Sequence, residues 1–166
     1  MTQHDKHPDL SHVDADGRAR MVDVGNKPIT QRRAVAEAHV RINPQLAEKI
    51  TANTLAKGNL LEVARLAGIQ AAKRTADLIP LCHPLPLNVV DVEAHLDGPR
   101  VHLRATAQTG ARTGVEMEAL TAVTVAALTV IDMGKAVDPA MVIENVRLLE
   151  KTGGQSGDFH ADPPAT

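Results

Sequence analysis

From Arg32 to Ile42 the side chains alternate, with Ala34, Ala36, Ala38, Val40 and Ile42 on one side and Arg33, Val35, Glu37, His39 and Arg41 on the other. A period of two with one mostly polar face predicts a half-buried strand, even though alanine has only a modest strand preference. Asn43-Pro44 reads as a helix start, with Asn as the cap and Pro in the first turn, and that helix is expected to run to about Leu55. Asn59 opens a second helix, and Glu62 three residues on completes a capping-box-like pair. Leu60, Val63, Ala64, Ala67, Ala71 and Leu78 fall at helical spacing until Pro80 ends the run.

Two strands follow. Leu87, Val89, Val92, Ala94 and Leu96 mark the first, with a slip at Val89-Val90 that reads as a bulge. Asp97-Gly98 makes the turn, and Val101, Leu103, Ala105 and Ala107 form the returning strand. A long helix from Thr113 to about Val137 is closed by Pro139, and Met141 to Leu149 reads as a last strand. Strand, helices, strand, strand, helix, strand is the order of a ferredoxin-like split βαβ sandwich: an α+β fold with an antiparallel sheet and helices on one face. No linker, repeat or low-complexity block divides the chain, so 11–159 is expected to be a single catalytic domain between tails at 1–10 and 160–166.

Within the long helix, Ala119 to Ile131 is apolar or Thr on every face. Such a stretch needs cover all round, and a sheet covers only one side, so a partner subunit is the expected second cover. Glu118 and Asp132 are fourteen residues apart on this helix, which at 1.5 Å per residue separates them by about 21 Å. No small ligand bridges that distance, so the two serve one site only if they come from different subunits.

Composition narrows the function. The single Phe159, with no Trp or Tyr, removes the stacking platforms of single-stranded nucleic-acid binders. A net charge of −2 gives no basic footprint for a duplex. Cys82 is the lone cysteine, so no intramolecular disulfide forms. Met1 to Gly17 lacks the apolar core of a secretory signal, and Ala119 to Ile131 is short for a bilayer and holds three threonines. The expectation is a soluble cytoplasmic protein.

Candidate chemistry gathers in a few places, each with a plain structural alternative. In Leu78-Ile-Pro-Leu-Cys-His-Pro84, His83 is biased to extended backbone by Pro84 and suits an acid, base or phosphate donor; it reads equally as a loop histidine beside a buried thiol. No metal site is expected from Cys82 and His83, because adjacent residues rarely ligate one ion and no second pair stands at ligand spacing. Glu116 and Glu118 start the long helix, where Thr113 to Glu116 also fits a capping box. Asp132 and Lys135 near its end also fit a surface ion pair. Lys57 precedes a helix N-terminus, Lys73 has Asp77 at i+4, and Lys151 precedes a Gly-rich stretch that is either an anion-binding concavity or a loose tail. No Gly-x-x-x-x-Gly-Lys-Ser/Thr loop is present.

Met21-Val-Asp-Val24, Ala67-Gly-Ile-Gln-Ala-Ala-Lys-Arg-Thr75, Leu78-Ile-Pro-Leu-Cys-His-Pro84, Thr113-Gly-Val-Glu-Met-Glu-Ala-Leu-Thr121 and Ser156-Gly-Asp-Phe159 closely resemble the cyclic pyranopterin monophosphate synthases of molybdenum-cofactor biosynthesis. The likeness runs from about Leu10 to Phe159. It implies a lyase that converts 3′,8-cyclo-7,8-dihydro-GTP to cyclic pyranopterin monophosphate and pyrophosphate, without a cofactor, in a homohexamer of three dimers with sites at subunit contacts. By motif it implies Asp132 as acid/base, Lys135 and Lys57 as catalytic lysines, and Leu81, Cys82, His83, Met117, Glu118 and Glu116 as substrate-binding. Arg32, Lys73 and Lys151 are weaker carry-overs, expected near the phosphates or the tail. Asn59 departs from the acidic residue expected in many relatives but caps a helix as well. The competing readings are a nucleotide-binding sensor of the same fold and a metal-dependent phosphohydrolase.

Overall fold

The structure is a computed structural model describing residues 16–154 and 157–162; the expected tail 1–10, Ser156 and the end of the expected C-terminal tail lie outside the described residues. The elements are β1 (Thr30–Arg41), α1 (Pro44–Thr51), α2 (Leu60–Ala72), α3 (Thr75–Leu78), β2 (Val89–Asp97), β3 (Arg100–Ala111), α4 (Glu116–Gly134), β4 (Val142–Thr152) and β5 (Phe159–His160). The sheet order is β2-β3-β1-β4-β5, antiparallel throughout. This is the α+β, ferredoxin-like arrangement expected from the order of patterns, with β5 added at one edge.

Ala34, Ala36, Ala38 and Val40 of β1 are fully buried, as are Val101, Leu103, Ala105 and Ala107 of β3. They meet Ala119, Ala122, Val123, Ala126, Ala127 and Val130 of α4, also without exposed surface. With no aromatic in this core, small aliphatic residues bring the layers close. Gly68 of α2 shows how close: a Cβ there would stand 2.9 Å from the carbonyl oxygen of Ala122 and 3.2 Å from Val92 Cγ2. α2 therefore supplies part of the second cover that α4 needs, while Leu128, Leu66 and Val63 stay exposed. By length and composition α4 could cross a membrane, longer than its apolar run alone implied, but its buried stripe is packed against sheet and α2.

Several boundaries differ from expectation for local reasons. Asn43 caps α1 through Oδ1, accepting from the Leu46 amide at 2.8 Å, but the helix stops at Thr51, and Asn53 adopts a positive φ. α2 ends at Ala72 rather than at Leu78: the Thr75 hydroxyl donates to the Ala72 carbonyl at 3.0 Å, and a four-residue α3 follows. Asn59 accepts from the Glu62 amide, yet Glu62 turns to Arg65 instead of closing a capping box. No capping box forms at α4 either, since Val115 is its N-cap and Thr113 stays in the preceding loop. β2 starts at Val89, and Val89 and Val90 both pair in regular register with β3, so the bulge expected there does not form. The irregular register lies between β1 and β4, at Val35/Ala36 and Glu37/His39.

Candidate functional site

The expected site residues fall into two groups at opposite ends of α4. At its C-terminal end, Asp132 sits in the last turn and Lys135 is the C-cap, which puts Lys135 Nζ 2.7 Å from Asp132 Oδ1. Lys57, in the loop before α2, donates to Asp132 Oδ2 at 2.9 Å and to the Asp132 carbonyl at 2.8 Å. A plain i,i+3 pair would not need a third member from 75 residues away. Hydrogen bonds from Lys135 and then Lys57 pull the Asp132 carboxyl down to about 2. All three side chains remain half exposed, so the cluster is a solvent-facing network rather than a buried ion pair. Lys57 and Lys135 meet inside one chain.

At the N-terminal end of α4 lies a cleft of two chambers that share Lys27, Thr113, Gly114 and Glu116 in their walls. One chamber, about 440 Å³, is lined by Lys27, Arg32, Arg112 and Lys151, with Glu116 as its carboxylate. Arg32 is fixed by donating to the carbonyls of Gly153 at 3.1 Å and Arg112 at 3.4 Å. Lys151 pairs with Glu116 at 3.2 Å. Gly153 and Gly154 are built into this wall: Gly153 has φ +85°, its amide donates to Asp158 Oδ1 at 3.0 Å, and any side chain there would strike the Gln31 carbonyl.

The other chamber, about 420 Å³, is lined by Val22, Val24, Leu81, Cys82, His83, Leu85, Met117 and Glu118. Its floor is Glu118, only 4% exposed in the first turn of α4. Burial, with Glu116 nearby, raises the Glu118 carboxyl to about 7, despite a bond from its own backbone. Burial and then Glu118 also raise the Cys82 thiol, which leaves it a poor nucleophile. A cationic chamber opening into a mostly apolar one, with a carboxyl poised near neutrality in the second, fits a ligand with a polyanionic end and a heterocyclic end.

Leu81, Cys82, His83, Met117, Glu118 and Glu116 are thus brought together, with Arg32 and Lys151 beside them. Asp132, Lys135 and Lys57 form the separate cluster. Lys73 belongs to neither; it lines a hollow of about 100 Å³ with Asp77, and no ion pair joins the two. Lys27 and Arg112 were missed by sequence reasoning, although both flank matched segments, and Arg112 directly precedes Thr113-Gly.

A family model described as the MoaC family matches residues 21–154. Curated relatives named cyclic pyranopterin monophosphate synthase include that of Herpetosiphon aurantiacus, 57% identical over 152 residues, 90% of this chain and 93% of the relative. That of Parvibaculum lavamentivorans is 55% identical over 154 residues, 92% and 96% of the two chains. That of a Nostoc species is 56% identical over 158 residues, 94% and 93%.

Proposed function

The chain belongs to the MoaC family, and on that footing we propose that it converts 3′,8-cyclo-7,8-dihydro-GTP to cyclic pyranopterin monophosphate with release of pyrophosphate, as a cytoplasmic lyase of molybdenum-cofactor biosynthesis. The observation that carries the reading is the convergence of Lys57 and Lys135 on one Asp132 carboxylate, which no local rule of helix structure requires. Two ammonium groups held by one acid are suited to the charge that builds on phosphate oxygens as a ribose-derived hydroxyl attacks the α-phosphorus and pyrophosphate leaves. With its carboxyl pulled to about 2, Asp132 has no proton to give at neutral pH. Held that low it is as weak a base as it is an acid at neutral pH, so its part is to orient the two lysines.

The cleft at the other end of α4 supplies the complementary half. Its cationic chamber suits the triphosphate, and the chamber of Leu81, Cys82, His83, Met117 and Glu118 suits the purine-derived ring system. Glu118, near neutrality, is matched to the proton transfers of ring opening and reclosure. α4 is unbroken from Glu116 to Gly134, so Glu118 and Asp132 stay about 21 Å apart in one chain. We therefore place the complete site at a contact where one subunit lends its lysine cluster and another its cleft, in a homohexamer built as three dimers. Exposed Leu66, Val63 and Leu128 on α2 and α4 are apolar surface available for such contacts.

The purified protein, given the cyclised substrate, should release pyrophosphate and the cyclic phosphate product. Lys135→Ala and Asp132→Asn should keep the assembly intact, by light scattering, while turnover falls about 10²–10⁴-fold. Parent-rate turnover by either variant would remove that residue from the mechanism.

A further inference from the structure

The face of the sheet away from the helices carries a row of histidines that the proposed activity does not use. His39 of β1 stands directly opposite His102 of β3, and His102 stands opposite His95 of β2. Glu37 lies two residues before His39, on the same face of β1. One ligand atom from each of Glu37, His39 and His102 lies within 4.8 Å of the others. None of these residues lines either chamber of the cleft. We infer that Glu37, His39 and His102 form a binding site for a zinc-class divalent transition metal on the helix-free face of the sheet.

The donors are already held for that purpose. Arg147 donates to Glu37 Oε1 at 2.8 Å, which leaves Oε2 turned to His102 Nε2 at 3.3 Å. The other ring nitrogen of His102 faces His95 Nε2 at 3.3 Å, so His95 accepts the Nδ1 proton when Nε2 binds metal. His39 stacks on His102 with centroids 4.6 Å apart, and its Nδ1 is buried with no hydrogen-bond partner among the described residues. A buried ring nitrogen without a protein partner is costly, and a metal would satisfy it once the stacked ring turns toward the cluster.

The surroundings balance the charge. Arg147 sets one positive charge against the Glu37 carboxylate. Glu144, opposite His39, engages Arg41 and Arg100 and so offsets the charge of those two neighbouring cations. Asn145, at φ 55°, sits in the register break between Glu144 and Arg147, and such bulges re-aim neighbouring side chains. Two imidazoles and one carboxylate suit zinc, cobalt or nickel over calcium or magnesium, and three protein ligands leave a fourth position for water.

The test uses the full chain in its native assembly, in a background with His4, His7 and His12 replaced by Ala to remove competing imidazoles. After chelator treatment, zinc chloride alone is titrated by calorimetry, and cobalt chloride by absorption. One metal per chain is expected, with the d–d bands of a nitrogen- and oxygen-ligated cobalt site and a raised melting temperature. His102→Gln and Glu37→Gln should each weaken zinc binding by more than about 100-fold, and His95→Gln by about 10–100-fold while keeping the stoichiometry. Circular dichroism identifies any variant that fails to fold, and the near-isosteric Glu37→Gln then carries the comparison. No binding at millimolar zinc overturns the site. So does unchanged affinity in folded Glu37→Gln, or a thiolate-to-cobalt band, which would assign the metal to Cys82.

Discussion

At the scale of single residues, burial decides which groups keep their ordinary chemistry. Asp132 and Glu118 are both carboxyls on α4, yet one is drawn down to about 2 by two exposed lysines and the other pushed up to about 7 by a dry pocket. The second shift is also a statement about folding. The Glu118 pKa is higher folded than unfolded, where it lies near 4.5, so the stabilisation from its protonated form is complete below about pH 4.5. It is lost as pH rises through about 7. The parent should therefore lose about 3 kcal/mol relative to Glu118→Gln between pH 4.5 and 8, read by urea denaturation across that range. A difference between the two proteins that does not change with pH would mean that Glu118 is ionised when folded.

At the scale of elements, the strength of the periodic signal governs what can be read from the chain. β1 and β3 were legible because Ala34 to Val40 and Val101 to Ala107 alternate cleanly against one covered face. The break between α2 and α3 was not, because apolar spacing runs on through Ala71 to Leu78 and only the buried Thr75 hydroxyl, bonding back to Ala72, ends the helix. β5 has two residues and its order comes from the edge of β4, which no local pattern encodes. Of the site, the matched motifs carried Leu81 to His83 and Glu116 to Glu118. That Lys57 would join Asp132 depends on a loop 75 residues away, and the histidine row depends on cross-strand register. Positions 95 and 102 are symmetric about Gly98-Pro99, the two residues between the paired Asp97 and Arg100, so half of that row was present in the spacing. Helix contact makes a further demand that hydropathy does not reveal: Gly68 faces the Ala122 carbonyl at a distance that excludes a methyl group. Gly68→Ala should destabilise the fold by about 1–3 kcal/mol despite the better helix propensity of alanine, measured by chemical denaturation. A stabilised variant would show that α2 and α4 have room to separate.

At the scale of the whole molecule, the length of α4 carries the proposal that each site is shared between chains. A continuous helix with Glu118 in its first turn and Asp132 in its last holds the cleft and the lysine cluster apart, whatever the side chains do. Lys57→Ala damages the cluster and leaves the cleft whole, while Glu118→Ala does the reverse. If each site takes its two halves from different chains, dissociating the two inactive variants and reassembling them in equal amounts creates sites with both halves intact. Random assortment gives such a pairing at about a quarter of all sites, and another quarter carry both lesions, so activity should return to about a quarter of the parent level. A site contained in one chain cannot recover by this route, because every polypeptide in the mixture still carries a lesion. Pyrophosphate release by the reassembled mixture, against each variant dissociated and reassembled alone, separates the two arrangements without requiring a ligand-bound structure.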